Sequence, residues 1–370
     1  MVAILVDTAI EAEIEIDTLI IGGGAAGLTA ALAACEAGSS VLIAERETVL
    51  SGSTALSSGL IPAAGTAIQS EQSIEDTADI FYSDIMAKNK NKADPDYVRR
   101  IVTQIPKTID WLTAAHNIPF IVLDNFLYPS HTNHRMHAVP EVTGSGLIER
   151  LEAAVRAQDI TIVTDLQITD LVVTAQGDAL GAHCQRPDGS QESIAARSII
   201  LACNGYGGNP ELVAQYIPEM HDALYFGHPG NQGEAVIWGQ QLGAEIAHLS
   251  GYQGHGSVAH PHGILVTWAL MMEGGIQVNR LGKRFSNEHQ GYSEQAVSVL
   301  AQPDRIAFNI FDERLCELGR GFEDFRVAEE AQAIIRADTP AELAEKLGIN
   351  PDELTETLAE CSAFSQSGEA

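Results

Sequence analysis

"IIGGGAAGLTAALAACEAGSSVLIAE" occupies residues 20–45. Just upstream and overlapping it, "IDTLII" (16–21) is an apolar, β-branched run that predicts a buried strand. Past the glycines, residues 25–37 are rich in Ala and Leu and predict a helix. "SSVLIAE" (39–45) then predicts a second buried strand. A strand–helix–strand unit with short connections implies a parallel sheet. Gly22, Gly24 and Gly27 form G-x-G-x-x-G at the first turn. Such glycines allow a tight turn, close approach of backbone to a pyrophosphate, and close packing of helix on strand. The pyrophosphate would lie at the helix N-terminus, where free N–H groups and the helix dipole favour an anion. Gly22, Gly24, Ala26 and Gly27 are therefore candidate cofactor-binding residues. Glu45, 18 residues after Gly27, ends the second strand and is placed to accept hydrogen bonds from adenosine ribose hydroxyls. An acidic residue there opposes a 2′-phosphate and hence NADP, and leaves NAD and FAD open.

The 370 residues exceed what one hydrophobic core usually serves, so two domains are expected. With 21 Lys+Arg against 50 Asp+Glu, the net charge is -29. That acidity disfavours nucleic acid and anionic membrane as partners. Cys35, Cys184, Cys203, Cys316 and Cys361 are scattered and form no C-x-x-C, which suits a reducing compartment. The acidic N-terminus "MVAILVDTAIEAEIEID" lacks the basic region of a signal peptide, and no apolar run reaches membrane-span length. The expected location is cytoplasmic.

Helical spacing recurs in "SIEDTADIFYSDIMAK" (73–88), with Ser73 as its expected cap, in "DPDYVRRIVTQIPKTIDWLTAAH" (94–116) and in "GSGLIERLEAAVRAQ" (144–158). Residues 160–203 predict short strands with turns at "QGD" and "PDGS", ending in a third buried strand over 198–203. From about 250 the composition shifts to Gly, His and Met, and helices are expected to the end. The domain boundary falls near 250.

Four later blocks separate NAD from FAD. "ERETVLSGSTALSSGLIPAAGT" (45–66), "SIILACNGYGGNP" (198–210), "NQGEAVIWGQQLGAE" (231–245) and "GGIQVNRLGKRFSNE" (274–288) resemble the FAD-dependent fumarate reductase / succinate dehydrogenase flavoprotein superfamily, which includes 3-ketosteroid dehydrogenases. The resemblance covers about residues 16–365. It implies a Rossmann-like, glutathione reductase-type FAD-binding domain over 1–250 and an α+β capping, substrate-binding domain over 251–370. It implies that Ser53, Thr54, Ser58 and Gly59 line the flavin, and that Ile168 meets the adenine side through its backbone. It also implies that Ala202 and Gly205 pass close to the cofactor. Glu234 stands where the family usually has Asp. Ser53 falls where succinate dehydrogenases carry a histidine bonded to flavin, and serine cannot form that link, so the FAD is expected to be non-covalent.

The family moves a hydride between flavin and a substrate carbon, and a proton on the neighbouring carbon. His255 and Thr267 align with substrate-binding residues of fumarate reductases. Met271, Trp268 and Tyr292 stand at the positions of those enzymes' Arg–Glu–Arg proton relay, and Met and Trp cannot relay protons. Tyr292 follows Glu288 by four residues, the spacing of a catalytic tyrosine in 3-ketosteroid dehydrogenases. The catalytic candidates are Tyr292 as acid or base, His255 and Thr267. Trp268, Met271, Met272 and Phe285 would line an apolar pocket, suiting a ketone or enone, possibly steroid-like, over a small diacid. The resemblance also puts Arg135 and His137 near the flavin or the domain interface.

Two histidine groups, His131/His134/His137 and His255/His260/His262, lack acidic or cysteine partners at ligand spacing, so no metal is expected. The family's glycine-rich C-terminal block has no counterpart before the sequence ends at "ECSAFSQSGEA". The leading expectation is thus an FAD-dependent dehydrogenase or reductase acting on a C–C bond beside a carbonyl, with a small-molecule substrate and an electron-donor or acceptor protein as partners. The alternatives are a fumarate- or enoate-reductase-type flavoprotein and a non-catalytic flavin-fold subunit.

Overall fold

The computed structural model describes residues 2–124, 127–128 and 130–367. The chain divides into two compact units. One comprises residues 1–216 and 227–250, and the other 217–226 and 251–370.

The first unit is built on a seven-stranded sheet. In chain order its strands are β1 (Ala3–Val6), β2 (Ile14–Ile21) and β3 (Val41–Ala44), followed after three short strands by β7 (Thr161–Val163), β8 (Gln167–Val173), β9 (Ala179–Gln185) and β10 (Gln191–Leu201). Their order across the sheet is β1-β8-β9-β10-β2-β3-β7. β10, β2, β3 and β7 run parallel, whereas β8, β9 and β10 form an antiparallel meander. The three short strands β4 (Ile61–Pro62), β5 (Ile121–Val122) and β6 (Met136–Ala138) pair separately in the order β4-β6-β5.

The end of β2 (Leu19–Ile21) and all of β3 read as continuous apolar runs because both faces of the sheet are covered there. Ile20 and Ile43 point to one face, where they join Leu28, Leu32, Ile109, Leu147 and Leu151. Leu19, Ile21 and Leu42 point to the other, with Ile168, Ile194 and Trp238. The helices of the first face are α1 (Ala25–Glu36), α5 (Pro95–His116) and α6 (Gly144–Ala157). Between α1 and α5 come α2 (Gly52–Ala55), α3 (Ala67–Glu71) and α4 (Ala78–Lys88). Asp94 caps α5 by accepting from Asp96 N–H (2.8 Å) and Tyr97 N–H (2.9 Å), with Pro95 at the first helical position. α7 (Pro210–Tyr216) and α8 (Glu234–Gln241) complete the unit.

Three expectations change. Ser73 has φ +58° and lies outside α4; Thr77 is the cap, its Oγ1 accepting from Ile80 N–H at 3.2 Å. The third strand is β10, which is longer than 198–203 and ends half exposed, because its length is set by pairing with both β9 and β2. β1 is an additional strand: it pairs Ala3 with Asp170, a partner no local pattern announces.

The second unit begins with a hairpin of β11 (Val258–Ala259) and β12 (Ile264–Leu265), followed by α9 (Ala269–Met272). β13 (Ile276–Val278) pairs antiparallel with β14 (Phe308–Ile310), and α10 (Tyr292–Leu300) lies between them in sequence. α11 (Glu313–Gly319), α12 (Glu323–Glu330), α13 (Pro340–Leu347) and α14 (Pro351–Ser367) follow. Trp268, Leu270, Met271, Leu315 and Phe325 form one core of this unit, and Val278, Ile310, Ala344 and Leu354 another.

Candidate functional site

In the first unit the glycine motif sits where β2 gives way to α1. Gly22 has φ +109°, and a Cβ there would lie 2.5 Å from Ala202 O. A Cβ on Gly27 would lie 2.0 Å from Gly22 O, so helix and turn are packed closer than any side chain permits. Gly24 differs: among the described residues the only atom within 4 Å of its Cβ position is Thr54 Oγ1 at 3.5 Å, an ordinary contact, so a side chain would fit there without a clash. Gly24 caps α1 without a side-chain hydrogen bond, Ala25 N–H reaches Thr54 Oγ1 (3.3 Å), and Ala26 is exposed. The first turn of α1 is thus a donor-rich cradle for an anion.

Glu45 closes the other side. Its Oε2 accepts from Gly23 N–H (2.8 Å) and its Oε1 from Glu47 N–H (3.0 Å), which fixes the carboxylate while each oxygen keeps a lone pair. Next to it, Arg46 Nη2 pairs with Glu234 Oε1 at 2.5 Å. Glu234 is buried at the start of α8, and its Oε2 has no protein partner. Ser53 Oγ accepts from Asn231 Nδ2 (2.8 Å) and His228 N–H (3.3 Å), tying α2 to the segment before α8. Cys203, at the end of β10, has its thiol pushed up to about 11 by burial, reinforced by the Glu234 charge.

Other expected residues have different surroundings. Gly59 sits against Thr143 O, where a Cβ would come within 2.8 Å, so chain packing alone demands glycine there. Ser58 is exposed and Gly205 faces open space. Ile168 buries its side chain in the sheet core, which leaves only its backbone for a ligand. Arg135 is fully buried between Asp76 (Nε–Oδ2 2.8 Å) and Asp84 (Nη1–Oδ2 2.7 Å), and His137 Nε2 meets Thr66 Oγ1 at 2.8 Å. Both belong to an internal polar network. Among the described residues no three His, Cys, Asp or Glu side chains group as they would around a metal.

In the second unit Tyr292 opens α10, and its ring stacks on His255 (centroids 5.2 Å, interplanar 22°). Trp268 meets the His255 ring edge-on at 6.1 Å. His255 Nδ1 accepts from Ser257 N–H (3.2 Å), so the proton of the neutral ring sits on Nε2. Burial pushes the His255 pKa down to about 4. Gln253 Nε2 donates to the Tyr292 hydroxyl oxygen at 3.2 Å. Burial raises the Tyr292 pKa above its usual value, and the Gln253 contact pulls it partly back. Thr267 is half-buried, and its Oγ1 accepts from Ala269 N–H (3.4 Å). Trp268 and Met271 are buried and packed with Leu315 and Phe325. All nine Arg and Lys side chains of this unit are committed to a carboxylate or a backbone carbonyl.

The family model for an FAD-binding domain matches residues 17–365. The chain belongs to the FAD-binding domain family. This FAD-binding domain is 27% identical over 354 residues to the probable fumarate reductase Ifc3 of Shewanella frigidimarina, an alignment covering 95% of this chain and 59% of that protein. The chain therefore spans about three-fifths of that relative. A flavocytochrome c3 fumarate reductase, solved in an open conformation, superposes with a TM-score of 0.80 at 26% identity over 96% of this chain and 63% of the other. A 3-ketosteroid-Δ4-(5α)-dehydrogenase from Rhodococcus jostii RHA1, solved with 4-androstene-3,17-dione, shares the fold with a TM-score of 0.74 at 21% identity, over 97% of this chain and 79% of the other. FAD is the cofactor of the family, and the first unit fits it. The unobstructed Cβ position at Gly24, with one ordinary contact to Thr54 Oγ1, the uncapped start of α1 and the fixed Glu45 carboxylate suit a dinucleotide pyrophosphate and ribose. No helix of the described residues is long and apolar enough to cross a membrane.

The sequence reading missed the Arg46–Glu234 pair and the Gln253 contact to Tyr292. Arg46 adjoins Glu45, but its partner lies 188 residues away, so no local spacing signals the pair.

Proposed function

We propose that this FAD-binding domain carries a dehydrogenase or reductase activity on a C–C bond beside a carbonyl, with Tyr292 as the proton-transferring group. The observation that carries this reading is the stacked His255–Tyr292 pair, with one phenol and one neutral imidazole presented side by side. FAD, held non-covalently by the first unit, would supply the hydride chemistry. The chain's own residues supply the proton and the anchor. Tyr292 is a phenol at neutral pH, as any tyrosine is with an ordinary pKa of about 10, and burial raises its pKa further. It is therefore ready to donate a proton to the carbon beside the carbonyl, whereas acting as a base requires alkaline pH. Gln253 holds its hydroxyl in place. His255, neutral across the working range, offers Nε2–H to a carbonyl oxygen. With every Arg and Lys of the second unit already committed, an uncharged ketone or enone suits these donors better than a carboxylate.

Tyr292→Phe keeps the ring and its stacking and removes the proton. Turnover should fall by roughly 10²–10⁴-fold with FAD content unchanged. Full turnover in the variant would end this assignment. The pH dependence has a definite sign. Enone reduction, which needs the phenol, should be flat through neutral pH and fall only above the ordinary tyrosine range near about 10. The reverse dehydrogenation should rise toward it. Enoate reduction is the second reading, favoured by the likeness to a probable fumarate reductase. Reoxidation of the reduced protein by fumarate or acrylate, with no response to ketones or enones, would establish it.

A further inference from the structure

His255 and Tyr292 come from different elements, a loop before β11 and the first turn of α10, so something must hold the two rings together. Ring stacking contributes about 0.5–1.5 kcal/mol, too little to fix a loop against a helix. The backbone adds one bond, Gly256 N–H to Tyr292 O at 3.0 Å. Two side chains add direct bridges, Gln253 Nε2 to the Tyr292 hydroxyl (3.2 Å) and Ser293 Oγ to Gly254 O (3.2 Å). The buried bonds converge on one side chain of β13.

Gln277 is 1% exposed and lies between Ile276 and Val278 in an otherwise apolar strand. Its Nε2 donates to Gly256 O at 2.7 Å and to Asn309 Oδ1 at 2.8 Å. Its Oε1 accepts from Gln295 Nε2 at 2.8 Å. Gln295 stands on α10, three residues after Tyr292. Asn309 Nδ2 in turn donates to Ser257 Oγ at 2.5 Å, and Ser257 N–H is the group that sets the His255 tautomer. The backbone N–H of Gln277 donates to Glu288 Oε1 at 2.8 Å, and Glu288 O accepts from Trp268 Nε1, the ring that packs edge-on to His255. One buried amide therefore reaches the histidine loop in two ways and the tyrosine helix in one. A buried amide in an apolar strand costs free energy unless it is satisfied, and here both amide protons and the carbonyl are used. An apolar side chain would fill the same place in the strand, but it would leave Gly256 O without this donor and Gln295 Nε2 with only Ser286 Oγ as acceptor.

We infer that Gln277 is a positioning residue: through Gly256, Asn309 and Gln295 it fixes the relative placement of the His255 and Tyr292 rings. It touches neither ring, so it is not itself catalytic. The inference rests on the Tyr292 reading above for its link to turnover, but not for its structural content.

The test is Gln277→Met, close in size and without hydrogen bonds, in the full FAD-loaded chain with ¹³C-labelled His and Tyr. A nuclear Overhauser effect between the His255 and Tyr292 rings, assigned with Tyr292→Phe, should be observed in the parent and vanish in the variant. The His255 ring signals should shift with it. With the enone that gives turnover, kcat should drop by about tenfold while KM changes less than threefold, because misplacement affects the reacting geometry more than binding. Gln277→Glu, which keeps shape and acceptor, should preserve more of the ring-to-ring effect than Gln277→Met. An undiminished effect in a folded Gln277→Met would overturn the inference. If that variant does not fold, Gln295→Leu cuts only the link to α10; it should weaken the same ring-to-ring effect, and full intensity there would overturn the inference instead. Stacked rings that separate in Gln277→Met, alongside full turnover in Tyr292→Phe, would uphold the positioning role and sink the catalytic one.

Discussion

At the scale of single residues, His255 turns burial into pH dependence. Its folded pKa is pushed down to about 4, below the value of about 6.5 in an unfolded chain. Between those values the unfolded chain binds a proton that the folded one does not, so stability rises with pH across that window. It is present in full above about 6.5 and is lost progressively as the pH falls toward 4, by up to about 3 kcal/mol. His255→Gln removes that titration. Denaturant melts of parent and variant should show the parent losing more stability between those pH values, and parallel curves would show that the ring is solvated. The signal for His255 was legible in "GYQGHGSV", but its protonation state was not. That follows from Ser257 N–H on Nδ1 and from the packing of Tyr292 and Trp268 around the ring.

At the scale of elements, the β2–α1 turn separates two glycines that look alike in sequence. Gly27→Ala drives a Cβ to 2.0 Å from Gly22 O, where only backbone movement can relieve it. Gly24→Ala meets nothing closer than 3.5 Å, yet it fills the space a pyrophosphate would use. The expected outcome is a split. Gly24→Ala should melt within a few °C of the parent and bind added FAD at least about tenfold more weakly, a loss of about 1.4 kcal/mol. Gly27→Ala should lose several kcal/mol of stability. Calorimetric melting and FAD fluorescence titration of both variants check it, and equal effects on stability would refute the distinction. The motif spacing made both glycines candidates; the separation of helix packing from ligand space came from the distances. The same limit explains Trp268 and Met271. Their apolar character was plain, but whether an apolar side chain lines a pocket or fills a core depends on partners such as Leu315 and Phe325 far along the chain.

At the scale of the whole molecule, charge dominates. Even with all 21 basic side chains paired, 50 acidic ones leave an excess of 29. Many of these bases are already paired on the surface, where each ion pair contributes little. Repulsion among the excess carboxylates is screened over about 8 Å at physiological ionic strength, and over less at higher salt. The melting temperature should therefore rise as NaCl increases toward about 0.5 M. A falling melting temperature would mean that the paired charges outweigh the excess.

The sequence by itself determined the β–α–β unit, its glycine turn and the acidic residue that closes it, because these depend on periodicity and on spacings shorter than one supersecondary unit; the FAD family entered through a resemblance carried by four blocks spread over residues 45–288. The same resemblance marked Tyr292, four residues after Glu288. Tertiary structure alone decided the rest. It added β1 at the sheet edge, paired Arg46 with Glu234, enclosed Arg135 between two aspartates, and joined Gln277, Gln295 and Asn309 beneath the His255–Tyr292 rings. The physical reason is that hydrogen bonds and ion pairs form between groups brought close by packing. A side chain whose partner lies up to 188 residues away leaves no periodic trace in its own neighbourhood.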